Sequence, residues 1–130
     1  MPMQVTIAGG GMIVHDQLLP SFYQLERLGL VNGITVCARH EKTLHDLKES
    51  EPIRRAFPRR KFRSFLKPYE EAFAEMPPRN IAVIALPDQL HFDAVMKALE
   101  AGLLPPIAIG AAGGAKFSLA SSIVTSAKCD

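Results

Sequence analysis

Three consecutive glycines, Gly9-Gly10-Gly11, stand directly after an alternating β-branched run, Gln4-Val5-Thr6-Ile7-Ala8. Glycines at the first and third places of such a turn have a chemical use. Gly9 permits a tight turn, and Gly11 lets backbone approach a phosphate where a Cβ would stand in the way. A helix opening at Met12 and Ile13 would add free N–H groups and a partial positive charge. The pyrophosphate of a dinucleotide is the ligand that suits this arrangement. The third glycine of G-x-G-x-x-G falls on Val14, so the residue that normally allows close helix–strand packing is missing. A glycine turn with no ligand fits the same residues, and the motif alone does not choose between them.

The end of the second apolar run bears on the choice of cofactor. Val36-Cys37 is followed by Ala38-Arg39-His40, with no acid before Glu41. An acid there would accept hydrogen bonds from an adenine ribose, whereas an arginine can pair with a 2′-phosphate through its forked donors. Arg39 therefore tilts the expectation toward NADP over NAD. A solvated loop arginine is the alternative.

Other chemistry-bearing residues carry less. His15-Asp16 looks like a catalytic pair, but sequence neighbours on a helix rarely face each other, so His15 is expected to be structural or exposed. His91 follows a buried run near a helix start, where a cofactor contact and a satisfied structural histidine fit equally. His40 and His45 read as surface residues, and Cys37 as a small hydrophobe. The four histidines and two cysteines show no metal-ligand spacing, so no metal site is expected, and no catalytic residue is assigned. Seven cations between Arg54 and Lys67 lack an intervening acid and are interleaved with Phe57, Phe62 and Phe65. Such a stretch can bind single-stranded nucleic acid, or it can be a solvated loop and strand with its phenylalanines in the core. With a net charge of only +2, a nucleic-acid partner is not expected.

The elements that must position these residues follow from the pattern. The 130 residues suit one domain plus a tail, and 48% apolar with 22% charged residues is a globular composition. No apolar run approaches the ~20 residues of a membrane span, and no secretory signal is read. Cys37 and Cys129 make no disulfide framework, so a cytoplasmic protein is expected. A helical stretch runs to Leu28 with Pro20 inside it, which predicts a kink or a second helix starting at Pro20. Gly29 ends that stretch, Asn32-Gly33 predicts a turn, and Ile34–Cys37 a strand. Helix follows over 41–57 with a break at Pro52, then a short strand over 61–65 and a helix over 69–76. The run Ile81–Leu86 reads as a strand buried on both faces. Asp88 is expected to cap the next helix, with Phe92, Val95, Met96 and Leu99 as its apolar face and Gly102 as its end. One more strand is expected within 105–110. This alternation predicts a Rossmann-like, doubly wound α/β domain with a mainly parallel sheet over 1–110, incomplete at its C-terminal edge. A tail of mostly small residues occupies 111–130.

Taken together, Val5-Thr6-Ile7-Ala8-Gly9-Gly10-Gly11-Met12, the segment Ile81–His91 and Glu100-Ala101-Gly102 resemble the Gfo/Idh/MocA family of NAD(P)-dependent oxidoreductases. Pro87 and His91 match the family pattern, and Leu86 replaces its threonine. The resemblance implies the cofactor-binding half of an enzyme that transfers hydride to or from a sugar- or polyol-type substrate. It implies Gly9 and Gly11 under the pyrophosphate and Pro87 and His91 near the cofactor; with the glycine-turn and second-strand readings, the expected cofactor set is Gly9, Gly10, Gly11, Met12, Ile13, Ala38, Arg39, Leu86, Pro87 and His91. The resemblance also implies a separate substrate domain and a homo-oligomer. The family's Glu-Lys-Pro triplet is absent after Ala101-Gly102, and the texture changes abruptly there. A truncated or frame-shifted family member is one expectation. A catalytically inactive remnant or interaction module without cofactor binding is the alternative function.

Overall fold

A computed structural model describes residues 3–103 and 107–108. Five strands form one parallel sheet in the order β3-β2-β1-β4-β5. They are β1 (Met3–Ala8), β2 (Val31–Cys37), β3 (Arg63–Phe65), β4 (Ile81–Ile84) and β5 (Ile107–Ala108). Five helices connect them: α1 (Leu19–Arg27), α2 (Glu41–Lys48), α3 (Glu51–Ala56), α4 (Tyr69–Glu75) and α5 (His91–Glu100). The class is the expected Rossmann-like α/β fold. The tail expected over 111–130, and with it the expected incompleteness of the sheet, lies outside the described residues.

Strand alternation sorts the core into two layers. Val5 and Ile7 of β1, Ile34 and Val36 of β2 and Val83 of β4 face one layer, with Val14, Leu19, Phe22, Leu44, Leu47 and Ile53 from the α1–α3 side. Ala8, Cys37, Ala82 and Ile84 face the other, with Phe73, Ala94, Val95 and Ala98 from α4 and α5. Helices thus cover both faces of the sheet, and the central strand β1 is buried from Val5 to Ala8.

Four local expectations are sharpened or changed. Around Pro20 the second expectation holds within one residue: α1 starts at Leu19 with Pro20 in its first positions, and the short helix before it is π-helical rather than α-helical. A π-helical segment, Val14–Leu18, runs into α1, and the Leu19 amide bonds back to the Val14 carbonyl. Pro20 lacks an amide hydrogen and would crowd the carbonyl four residues back, and the wider turn relieves that conflict. Asn32-Gly33 is not a turn but a bulge inside β2. Met3 pairs with Val31 and Val5 with Ile34, so three steps on β2 match two on β1. The extra residue, taken up at Gly33 with φ +109°, lets Val31 and Ile34 both reach the same core layer. The break between α2 and α3 falls at Glu49-Ser50, which leaves Pro52 in the first turn of α3, where a missing amide costs nothing.

The helix after β4 also differs from its reading. A 3₁₀ turn, Asp88–Leu90, precedes it, so α5 starts at His91 with Leu90 rather than Asp88 at the cap position. Its buried face is His91, Ala94, Val95 and Ala98. Phe92 is 56% exposed and Met96 37%. The alanines win because they let α5 sit close to α4 and the sheet, where the larger side chains would not fit.

Candidate functional site

The sheet order makes a crevice at the carboxyl end of β1. From β1 the chain winds outward to β2 and β3, then crosses to β4 on the other side of β1. The segments after β1 and β4 leave toward opposite faces, and open α/β sheets bind ligands in the gap this creates. Here the gap is a cleft of about 340 Å³ between the glycine turn, Cys37–His40 with Thr43, Lys67–Tyr69, and Ala85–Pro87 with Leu90.

The three glycines have three different reasons to be glycine. Gly9 has φ +115°, and a Cβ there would stand 2.2 Å from the Ala85 carbonyl oxygen. Its amide donates to the Cys37 carbonyl at 2.8 Å, and the Ala85 amide donates to the Ala8 carbonyl at 2.8 Å, so the three strand ends are laced together. A Cβ on Gly10 would meet the Thr43 methyl at 2.6 Å. At Gly11 a Cβ would have no neighbour within 4 Å. The fold therefore demands glycine at position 9, a Cβ at position 10 would displace the Thr43 side chain, and the bare backbone at Gly11 borders open cleft. The Gly11 carbonyl accepts from the Val14 and His15 amides and so opens the helix that follows.

The charged side chains of the cleft have one sign. Arg39 and Lys67, both exposed, line it together with His40, and no Asp or Glu is among its described wall residues. The rest of the wall is largely apolar or backbone. Cys37 is 4% exposed and its thiol donates to the Lys67 carbonyl. Burial, followed by the charge of Glu70, pushes that thiol up to about 11, so it is a packing residue at neutral pH. Tyr69 closes the wall near the β3 end. Its hydroxyl donates to the Asp93 carboxylate, tying α4 to α5. Burial and that carboxylate hold the phenol well above its ordinary range.

Of the ten residues expected at a cofactor, seven meet in this cleft: Gly9, Gly10, Gly11, Ala38, Arg39, Leu86 and Pro87. Met12 points into solvent at 80% exposure, and Ile13 packs against the α1–α3 core layer. His91 lies behind the wall, 4% exposed. A carbonyl can only accept, so His91 Nε2 carries the proton it donates to the Leu86 carbonyl at 2.8 Å. His91 thus fixes the Leu86-Pro87 turn, and its Nδ1 has no partner among the described residues. Thr43, Lys67 and Tyr69 reach the cleft without having been assigned to it from sequence. Only the topology brings the α2 start and the loop after β3 to the glycine turn.

A second groove of about 350 Å³ lies between α1, α2 and the segment after α3, with Lys48, Arg54, Arg60 and Lys61 on its walls. Phe62 is buried there, and Phe57 is half-buried against Tyr23 and beneath Arg27. These rings serve the core and offer little free face for base stacking. Among the described residues, no His, Cys, Asp or Glu group is poised to hold a metal ion, and no helix is long and apolar enough to cross a membrane.

The parallel sheet, its strand order and the glycine turn under the switch point define a Rossmann-like α/β domain. Among solved structures, the crystal structure of myo-inositol 2-dehydrogenase from Lactobacillus plantarum is similar, with a TM-score of 0.60 and 14% sequence identity. The match covers 97% of this chain and 34% of that one, so the chain spans about a third of the dehydrogenase's length. At this identity the likeness establishes the fold, and it bears out at that level the resemblance carried by the glycine turn and the Ile81–His91 segment. No family model matches the sequence, and no curated protein matches it.

Proposed function

We propose that this chain binds a nicotinamide dinucleotide, with NADP favoured, as the cofactor-binding part of a Gfo/Idh/MocA-like oxidoreductase acting on a sugar- or polyol-type substrate. The observation that carries this reading is Gly11. It is the one glycine of the turn with no neighbour to demand it, and it borders the cleft at the switch point. A pyrophosphate against Gly9–Gly11 would meet backbone amides and the start of a helix. Arg39 and Lys67 supply positive charge at the end of β2 and after β3, where an adenine ribose bearing a 2′-phosphate would be held. When bound, the cofactor would supply the hydride. The chain's own residues grip, orient and shield it.

Substrate binding and proton transfer call for residues beyond the described ones, in a separate substrate domain or partner chain. The buried free thiol of Cys37 agrees with a reducing cytoplasm. A second reading, a remnant without cofactor binding, draws on Val14, which fills the packing-glycine position with a buried side chain. Fluorescence titration with NADPH and NADH separates the two. Saturable binding that is weakened by Gly11→Asp supports the cofactor domain. No binding by the folded chain leaves the remnant.

A further inference from the structure

His15 makes two side-chain hydrogen bonds that neither the glycine cleft nor its ligand uses. Its Nδ1 is 2.7 Å from Asp16 Oδ1, and its Nε2 is 2.6 Å from Ser50 Oγ. A carboxylate only accepts, so the neutral ring carries its proton on Nδ1. The Nε2 lone pair then accepts the Ser50 hydroxyl proton. This is the atom-for-atom order of a nucleophile, a base and the group that orients the base. The fold brings the three together. His15 and Asp16 are neighbours within the π-helical segment Val14–Leu18, and Ser50 stands at the break between α2 and α3. Ser50 stands at the cap position of α3, yet its hydroxyl makes no capping bond and turns to His15 instead.

We propose that Ser50 is a nucleophilic serine that accepts an acyl group from small activated esters, with His15 as its general base and Asp16 as the positioning residue. Ser50 Oγ attacks the ester carbonyl and its proton passes to His15 Nε2. The tetrahedral adduct collapses with loss of the leaving oxygen, either as the alcohol after taking the proton back from His15 or, for p-nitrophenyl acetate, as p-nitrophenolate while His15 gives the proton to water. Ser50 is left as an ester. Ser50 is only 9% exposed, beside His15 and Asp16 with side chains 37% and 55% exposed, and none of the three lines the deep cleft, so only a small acyl donor fits the proposal. The step needs no oxidant, metal or dinucleotide, and stands apart from the proposal for the cleft.

The test is incubation of the whole chain with p-nitrophenyl acetate, with release of p-nitrophenolate followed and the acetylated residue located by mass spectrometry. One acetyl per chain is expected on Ser50, none there in Ser50→Ala, and unchanged labelling in Ser21→Ala, an exposed serine on α1. His15→Gln is expected to slow Ser50 labelling roughly 100-fold, the lower end of a general base's contribution. Added imidazole should restore part of the rate, which a purely structural histidine would not allow. Asp16→Asn, an exposed change that spares the fold, should lower the rate and shift its pH profile. Absence of acetyl on Ser50 in the folded chain, or equal labelling in folded His15→Gln, overturns the proposal.

Discussion

Gly9 and Ala85 are so close that a Cβ on the first would stand 2.2 Å from the carbonyl oxygen of the second. The contact joins the exit of β1 to the exit of β4, and so sets the width of the cleft at its floor. Gly9→Ala combines this clash with a φ of +115° that alanine rarely adopts. The variant should lose about 3 kcal/mol or more of unfolding free energy in urea titrations. Gly11→Ala meets open space and should change stability by less than ~0.5 kcal/mol, while weakening dinucleotide binding.

Arg39 carries the cofactor preference. A charge-assisted hydrogen bond to a phosphate contributes about 1.5–3 kcal/mol. Arg39→Glu should therefore weaken NADPH binding at least about tenfold, with a much smaller effect on NADH. Parallel titrations of both nucleotides read that difference, and an equal loss for both would place Arg39 away from the 2′-phosphate.

Cys37 makes the fold alkali-sensitive. Its thiol moves from 9.0 in the open chain to about 11 in the folded one, chiefly through burial. The folded state therefore resists ionisation, and the unfolded state gives up its proton first. Stability from this group is full below pH 9 and is lost as pH rises toward 11, by something like 2–3 kcal/mol. Denaturant midpoints from pH 7 to 11 check this. Cys37→Ala, which keeps a small apolar side chain, should flatten that part of the profile. Alkylation of native Cys37 by iodoacetamide at pH 8 should be slow relative to the unfolded chain.

His91 tests whether the Leu86-Pro87 turn is held from behind. His91→Leu keeps the bulk and removes the donor to the Leu86 carbonyl. It should cost about 1–3 kcal/mol, and it should reduce dinucleotide affinity only by loosening the turn. A large affinity loss at unchanged stability would put the ring in direct contact with the ligand.

The face of α5 gives a contrast by size. Ala98 is fully buried, so Ala98→Leu overpacks the α4–α5 layer and should cost about 1–3 kcal/mol. Phe92→Ser, at a position more than half exposed, should fall within ~0.5 kcal/mol of the parent. Thermal melts of the two variants suffice.

Where hydrophobic periodicity and glycine chemistry agree, the sequence is easy to read. Val5 to Ala8, Ile81 to Ile84 and the turn at Gly9 follow from β-branched runs and a required positive φ. The misreadings have physical causes. Asn32-Gly33 carries the same backbone freedom whether it makes a turn or a bulge, and only pairing with Met3 and Val5 decides between them. Phe92 and Met96 lost to Ala94 and Ala98 because helix-to-sheet distance, not hydrophobicity alone, chooses the buried stripe. Lys67, Tyr69 and Thr43 arrive at the cleft through the crossover from β3 to β4 and the placement of α2. Ser50 meets His15 across 35 positions of chain. Distances of that kind are properties of topology and leave no local trace.

The wide turn between Val14 and Leu18 has one more consequence. An α-helix advances about 100° around its axis per residue, so one residue added or removed re-aims everything beyond it. Leu19, Phe22 and Tyr23 meet the sheet while His15 meets Ser50 because this stretch takes up the angular difference between two faces. It works as a phase adjuster. Removing a single residue from it would let the segment rewind as ordinary α-helix and leave the apolar stripe of α1 on β1, whereas removing a second would turn that stripe away.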